Sequence, residues 1–409
     1  MRILVLLALM AAIKVNACTV FKTTHDGRTF IGNNEDAWSI NANVRFDPAS
    51  KDGFGAVYFA HYNGHPLRAM SDQMGMNTAG LVFDGLVVGP GRVQRRIKRP
   101  VMETDDFIAH VMRTCATVDE VAAYLITVNT GPVAGMLFFA DASGRYLVVE
   151  PDTFFTGSDA WYALSNWRMS TCNDPGSIPI PRLQEGRQLL GNGSGATMAG
   201  AEEVLSTMAV CRRRMGEGTL FSVLFDPQEA NAYLYFYHDF SERVTIDLKE
   251  ELAKGDRTVD MASLFGPRPE YDRLRSYRTP FHQRWLFWAV AMLIGVAVLL
   301  GLAHLVQFIA RSVSKLRGRS TAPVLTPLLA GAANVVVVIL LGLTLAQEPV
   351  FYFGLGSVHT MLVALPWLLF AGLLFHLRSA AHEHATLRIP HQLSLALTLV
   401  LVTYWGMWW

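Results

Sequence analysis

Hydrophobic and polar positions divide the chain into three stretches. The first 17 residues carry a positive start, Met1-Arg2, an apolar run from Ile3 to Ile13 and the small-residue pattern Val15-x-Ala17. This is the layout of a secretory signal peptide, and its apolar run is too short to remain as a bilayer span. From Cys18 to residue 265, short runs of β-formers alternate with Gly, Asn and Asp clusters and predict an exported globular domain. A polar, arginine-bearing linker over 266–284 then leads into a membrane domain, 285–409.

The run Thr19 to Ile31 predicts a hairpin turning at His25-Asp26-Gly27-Arg28, because Asp-Gly between β-formers is a turn signal. Gly32-Asn33-Asn34-Glu35-Asp36 follows the second strand and is placed beside the first residue, although by residue type alone it reads as a surface turn. Gly53 to Tyr62 suggests a strand pair, and Met74 to Leu86 a Gly-bounded turn entering an apolar strand. Helical periodicity over Thr104 to Val128 predicts Phe107, Val111, Val118, Val121 and Leu125 on the buried face. Strands at Gly135 to Ala142, Tyr146 to Glu150 and Ala160 to Leu164 precede helices at Pro181 to Leu190 and Gly200 to Met208. Strands Leu220 to Phe225 and Ala232 to Tyr237 close the region. Strands, helices and strands again point to an α+β fold of sheets faced by helices, rather than a parallel βαβ alternation.

Four membrane-length segments, 285–310, 324–346, about 360–377 and 393–409, contain no Lys, Arg, Asp or Glu. Arg311, Lys315, Arg317 and Arg319 follow the first, Arg378 and Arg388 follow the third, and the loop after the second has no Lys or Arg. Basic loops inside put the globular domain outside the cytoplasm, which agrees with the leader. Without ionisable spans the membrane part reads as an anchor or lipid-facing platform, with His304, Gln307 and Asn334 as packing residues. His382-Glu383-His384 with His391 reads as a solvated loop rather than a metal site, so neither metal nor cofactor is implied.

Composition changes this picture little. The 409 residues are 51% hydrophobic with a net charge of +1, which offers no basic field for nucleic acid. Four cysteines, Cys18, Cys115, Cys172 and Cys211, all lie in the exported part. Cys18 is the first residue past the cleavage pattern, and from position alone it has three readings: disulfide half, lipid acceptor or nucleophile. As a nucleophile it would carry its own base. An unperturbed α-amine titrates near ~7.7–8.0 and a thiol near ~8.5, so a free terminal amine accepts the thiol proton near neutral pH.

Cys18-Thr19, then Gly32-Asn33-Asn34-Glu35-Asp36, Gly75-Met76-Asn77-Thr78-Ala79-Gly80-Leu81 and Leu164-Ser165-Asn166 resemble, in that order, the linear-amide C–N hydrolases of the Ntn superfamily. These include choloylglycine hydrolases, penicillin V acylases and relatives of the acyl-coenzyme A:6-aminopenicillanate acyltransferase. The resemblance covers residues 18 to 240. It implies an αββα sandwich with the terminal cysteine at the end of a central strand, Cys18 as nucleophile, and Asp36 holding the terminal amine. It further implies Asn77 in the G-x-N-x-x-G-L turn as a catalytic asparagine and Asn166 on the oxyanion side. Bile-salt and penicillin enzymes usually carry arginine where Asn33 stands; Arg168 or one of Arg212, Arg213 and Arg214 is a candidate substitute, and Asn33 and Arg168 are candidate substrate contacts.

The expectation is a signal-peptidase-matured, membrane-anchored amidase acting on a small amide or N-acyl lipid, by hydrolysis or acyl transfer. The competing expectation is a non-catalytic exported binding or sensor module on a four-helix anchor, with Cys18 lipidated or disulfide-bonded.

Overall fold

The computed structural model describes residues 18–37, 41–49, 53–62, 71–88, 102–128, 135–212, 217–276, 283–319, 324–346, 368–374 and 385–404. They fall into two compact units, one through Ser276 and the other from Gln283 onward.

The first unit is built from two antiparallel sheets. Its strands are β1 (Thr19–His25), β2 (Arg28–Asp36), β3 (Asn41–Asp47), β4 (Ala56–Tyr62), β5 (Ser71–Asn77), β6 (Val82–Leu86), β7 (Met136–Ala140) and β8 (Tyr146–Glu150). There follow β9 (Thr153–Gly157), β10 (Trp161–Ser165), β11 (Cys211–Arg212), β12 (Glu217–Asp226), β13 (Asn231–Phe236), β14 (Asp239–Asp247) and β15 (Arg257–Asp260). One sheet runs β10-β1-β2-β12-β13-β14, with β11 paired to β12; the other runs β15-β3-β4-β5-β6-β7-β8-β9.

Alternation along the strands sends one set of side chains between the sheets and the other outward. Phe59 of β4 meets Phe225 of β12 edge-on at 5.8 Å, and Phe138 of β7 stacks on Tyr162 of β10, so the sheets pack face to face. Outside the first sheet, α3 (Pro181–Gly191) and α4 (Met198–Met208) cover Phe21, Phe30, Ala163 and Leu224. Outside the second, α1 (Thr104–Thr114) and α2 (Val118–Leu125) cover Tyr58, Phe83, Phe139 and Leu147. The layering is helix, sheet, sheet, helix.

Several expectations change. The periodic stretch from Thr104 is two helices: Thr117 accepts from the Glu120 N–H and Glu120 answers in a capping box, which restarts the helix after Cys115. The five residues predicted for its buried face are buried. Gly53 to Tyr62 holds one strand, β4, paired with β3 and β5 rather than with itself. Gly32 to Asp36 is not a surface turn but the buried end of β2. A Cβ on Gly32 would stand 2.3 Å from the Phe21 ring, so glycine there lets that ring lie across the strand. Within the stretch 266–284 read as a linker, Tyr271 and Leu274 of α6 (Pro269–Ser276) are buried, Tyr271 against Phe236 and Tyr237. A short helix, α5 (Leu248–Ala253), follows β14 and packs against β3, β4 and β14.

In the second unit, helices Arg284–Leu316 and Leu325–Ala346 are long and apolar enough, by length and composition, to cross a membrane. Only these two of the four expected spans meet that test among the described residues. Most of the third lies outside the described residues, with 368–374 helical. The fourth falls in helix Ala385–Tyr404, which starts before the expected Leu393 and contains Pro390. His391 belongs to this helix, buried against His304 with ring centroids 4.4 Å apart, so for His391 the solvated-loop reading does not hold. His382, Glu383 and His384 lie outside the described residues.

Candidate active site around Cys18

Position begins with the turn. Asp26 and Gly27 both take positive φ, 49° and 79°, as a two-residue hairpin requires, and this fixes the register of β1 on β2. Thr19 faces Asn34, so Cys18, one residue before β1, comes abreast of Glu35. On the other side Thr19 faces Ser165, which brings Cys18 abreast of Asn166. The Ser165 hydroxyl donates to the Cys18 carbonyl at 2.7 Å and pins the start of the strand.

Parity then sorts the side chains. Asn34 shares the outer face with Thr19 and donates to its hydroxyl at 3.1 Å and to the Leu205 carbonyl of α4 at 3.0 Å. Cys18, Asn33 and Glu35 take the opposite face, between the sheets. Across the gap stand His61 of β4, whose Nε2 lies 3.2 Å from Glu35 Oε1, and Asp84 of β6. Cys18, Asn33, Glu35 and Asp84 are all buried.

This cluster is short of hydrogen-bond partners. Both amide atoms of Asn33, both carboxyl oxygens of Asp84, Glu35 Oε2 and Asn166 Oδ1 are buried with none. Such atoms cost free energy, on the order of 1–3 kcal/mol each, unless water or a ligand meets them. Burial pushes the Cys18 thiol well above its ordinary range, and the charges of Glu35, Asp36 and Asp84 push it further; the Asp36 main-chain N–H acts in the opposite sense. Burial likewise raises Asp84, with Glu35 adding to the effect. The Asn33 amide and the Gly85 main-chain N–H face Asp84 and partly offset this, neither reaching hydrogen-bond geometry.

The remaining predicted residues are placed as follows. Asp36 turns away from the cluster's unpartnered atoms: Oδ2 accepts from Arg182 at 2.6 Å and Oδ1 from the Thr219 hydroxyl at 2.7 Å. Burial raises its pKa to about 6, with Arg182 and Thr219 opposing. Asn77 donates to the Met112 and Cys115 carbonyls at 3.0 and 2.8 Å and accepts from the Ala79 and Leu81 N–H groups. Its amide is occupied in tying the β5–β6 turn to α1. Arg168 pairs with Glu150 at 3.3 Å and with Asp152. Asn166 stands at the rim beside Cys18, and a half-turn of its amide, which conserves shape, would aim Nδ2 where Oδ1 now lies.

No described cation replaces the expected arginine at Cys18. Arg182 is on Asp36, Arg168 on Glu150 and Asp152, and Lys22, farther along the same face of β1, donates to Thr24 and the Asp159 carbonyl. Arg213, Arg214 and the side chain of Arg212 lie outside the described residues. Cys18, Cys115 and Cys172 are free thiols; Cys172 packs against the core under α3 and α4. No group of three His, Cys, Asp or Glu among the described residues is arranged to hold a metal. The surface hollow lined by Arg45, Tyr58, Asp72, Asp105, Ile108 and Ala109 contains none of these groups.

Sequence reasoning passed over Glu35, His61, Asp84 and Arg182. Glu35 had a signal: with the turn fixed at Asp26-Gly27, hairpin pairing places it opposite Cys18. The others arrive from distant strands and a helix.

No family model matches the chain, and no curated protein matches it. Among solved structures it is similar to penicillin V acylase from Agrobacterium tumefaciens, at 15% identity over 57% of this chain and 88% of that one, with a TM-score of 0.43. It is also similar to a mutant conjugated bile acid hydrolase from Clostridium perfringens, at 15% identity over 60% and 96%, with a TM-score of 0.46.

Proposed function

We propose that the chain is a membrane-anchored, exported amide hydrolase whose nucleophile is Cys18, made N-terminal by removal of residues 1–17. The observation that carries this reading is an unpaired thiol at the head of a central strand, facing a buried group of polar atoms without partners. Four membrane segments and an extracytoplasmic globular unit belong to the same reading.

The Cys18 Sγ attacks the carbonyl carbon of a linear amide while the terminal amine takes the thiol proton. Asn166, with main-chain N–H groups, stabilises the tetrahedral oxyanion. The ammonium returns the proton to the leaving nitrogen, the C–N bond breaks, and a thioester remains on Cys18. Water, or a second amine in acyl transfer, then releases the acyl group and restores the thiol. Anchoring beside lipid favours an N-acyl lipid or another amphipathic amide as substrate.

The test is the mature N-terminus and its reactivity. Intact-mass analysis of the purified protein should find a free, unmodified Cys18 as first residue, and a reactive acyl probe should label it. In Cys18→Ala labelling should disappear. A retained leader, a diacylglyceryl cysteine or undiminished labelling in Cys18→Ala would reject the reading.

A further inference from the structure

The polar atoms around Cys18 are unbalanced in kind. Glu35 Oε2 and both oxygens of Asp84 are acceptors when the carboxyls are ionised, and the amides of Asn33 and Asn166 are the unmet polar groups beside them. Asn33 itself is 1% exposed and points from β2 into the gap where Asp84 stands. The buried carboxylate oxygens thus outnumber the cationic N–H donors that would meet them. Hydrolysis of the Ala17–Cys18 bond supplies them: water adds across the amide, Ala17 leaves as a carboxylate, and Cys18 gains an amine that becomes a three-donor ammonium on protonation. That amine is covalently attached to the residue abreast of Glu35.

We propose that Glu35 and Asp84, with Asn33, receive the α-amine of mature Cys18 and set its protonation, and that Asp36 does not. The proposal rests on the amidase reading and changes one of its assignments, since the family resemblance gives that role to Asp36. Both oxygens of Asp36 are already met, one by Arg182 and one by Thr219, whereas those of Asp84 and one of Glu35 are open. The same carboxylates give the uncut chain a silent thiol. Before cleavage they face Cys18 with no described Lys or Arg among them, and the thiolate is opposed by burial and by each charge. After cleavage the ammonium stands within the cluster, offsets those charges and, once deprotonated, serves as the base. Glu35 and Asp84 are therefore positioning residues that couple maturation to activation. The titratable groups around this amine are Glu35 from β2, Asp84 from β6 and His61 from β4, with Asp36 of β2 nearby and bound to Arg182 of α3.

The test reads the amine directly and does not depend on turnover. The full processed protein is pulse-acetylated at a series of pH values, hydroxylamine removes acetyl from the thiol, and mass spectrometry of the N-terminal peptide gives the amine's titration midpoint. A neighbouring carboxylate holds a proton on the amine, so Glu35→Gln and Asp84→Asn should each lower that midpoint, by about 1 pH unit for the nearer carboxylate. Glu35→Asp should restore most of it, and Asp36→Asn should leave it in place. In protein with the leader retained, Glu35→Gln should also lower the pH at which iodoacetamide alkylates Cys18. A midpoint unmoved in both Glu35→Gln and Asp84→Asn, or moved mainly in Asp36→Asn, overturns the proposal. Because Asp84→Asn is an independent arm, misfolding of one variant does not decide the result. If no processed N-terminus exists the amidase reading falls; if Cys18 is processed and labelled but the midpoints do not move, only this inference does.

Discussion

Asn166 and Asn77 show how one residue type in two polar motifs can serve different ends. Asn77 has four main-chain partners, so its amide has no capacity left for a substrate. Asn166 directly follows β10 beside the nucleophile with a buried amide atom unmet. A donor aimed at a developing oxyanion matters for carbonyl addition and not for alkylation, where no oxyanion forms. Asn166→Ala is therefore expected to lower amide turnover by roughly 10²–10³-fold, while the iodoacetamide rate at Cys18 changes little; equal losses in both would place Asn166 in folding. At this scale the motifs singled out Cys18, Asn77 and Asn166 alike, without telling which asparagine was already occupied. Occupancy depends on α1, whose carbonyls reach Asn77 from more than thirty positions away.

Elements were legible where a local rule decides them. The Asp26-Gly27 hairpin, the β7–β8 pair around Asp141 to Arg145, and the core faces of the helices follow from turn chemistry and period. Local rules failed at Gly32 to Asp36, because Asn and Gly favour turns and the force that makes them a strand is pairing with β1 and β12 on both sides. They failed again at β3, β9, β14 and β15, whose partners are supplied by the completed sheets. The β5–β6 turn depends on one side chain for closure, which gives a test at the element scale. Asn77→Ala leaves the Met112 and Cys115 carbonyls and the Ala79 and Leu81 N–H groups without that partner. The expected cost is roughly 3 kcal/mol or more, read as a lower unfolding midpoint of the globular unit. Cys18 labelling at low temperature should persist; its loss in a folded Asn77→Ala protein would return Asn77 to the catalytic set.

For the whole molecule, the exposed surface of helix Arg284–Leu316 is the strongest constraint on where the protein resides. Trp285, Met292, Leu299 and Val306 recur every seven residues and are each more than 60% exposed. Seven residues is close to two helical turns, so these side chains form one continuous apolar stripe. Moving each such side chain out of water is worth about 1.5–3 kcal/mol, which puts the stripe alone on the order of 10 kcal/mol in favour of lipid. On the other side the helix packs through Val290, Ala297 and Leu300 against Val337, Leu340 and Leu341. Polar anchors lie inside the bundle, where Asn334 donates to Ser394 at 2.8 Å and His304 lies 3.3 Å from the same hydroxyl. An apolar exterior around a few satisfied polar contacts suits a lipid solvent. Under the proposed reading, Arg311, Lys315, Arg317 and Arg319 are expected on the cytoplasmic side. The expected outcome is that alkaline carbonate leaves the chain in the membrane. Protease added from the extracytoplasmic side should digest the unit carrying Cys18 and spare the 311–319 segment until the membrane is opened. Release by carbonate would exclude the anchor, and cleavage within 311–319 in sealed vesicles would reverse the orientation, placing Cys18 on the side where signal peptidase does not act.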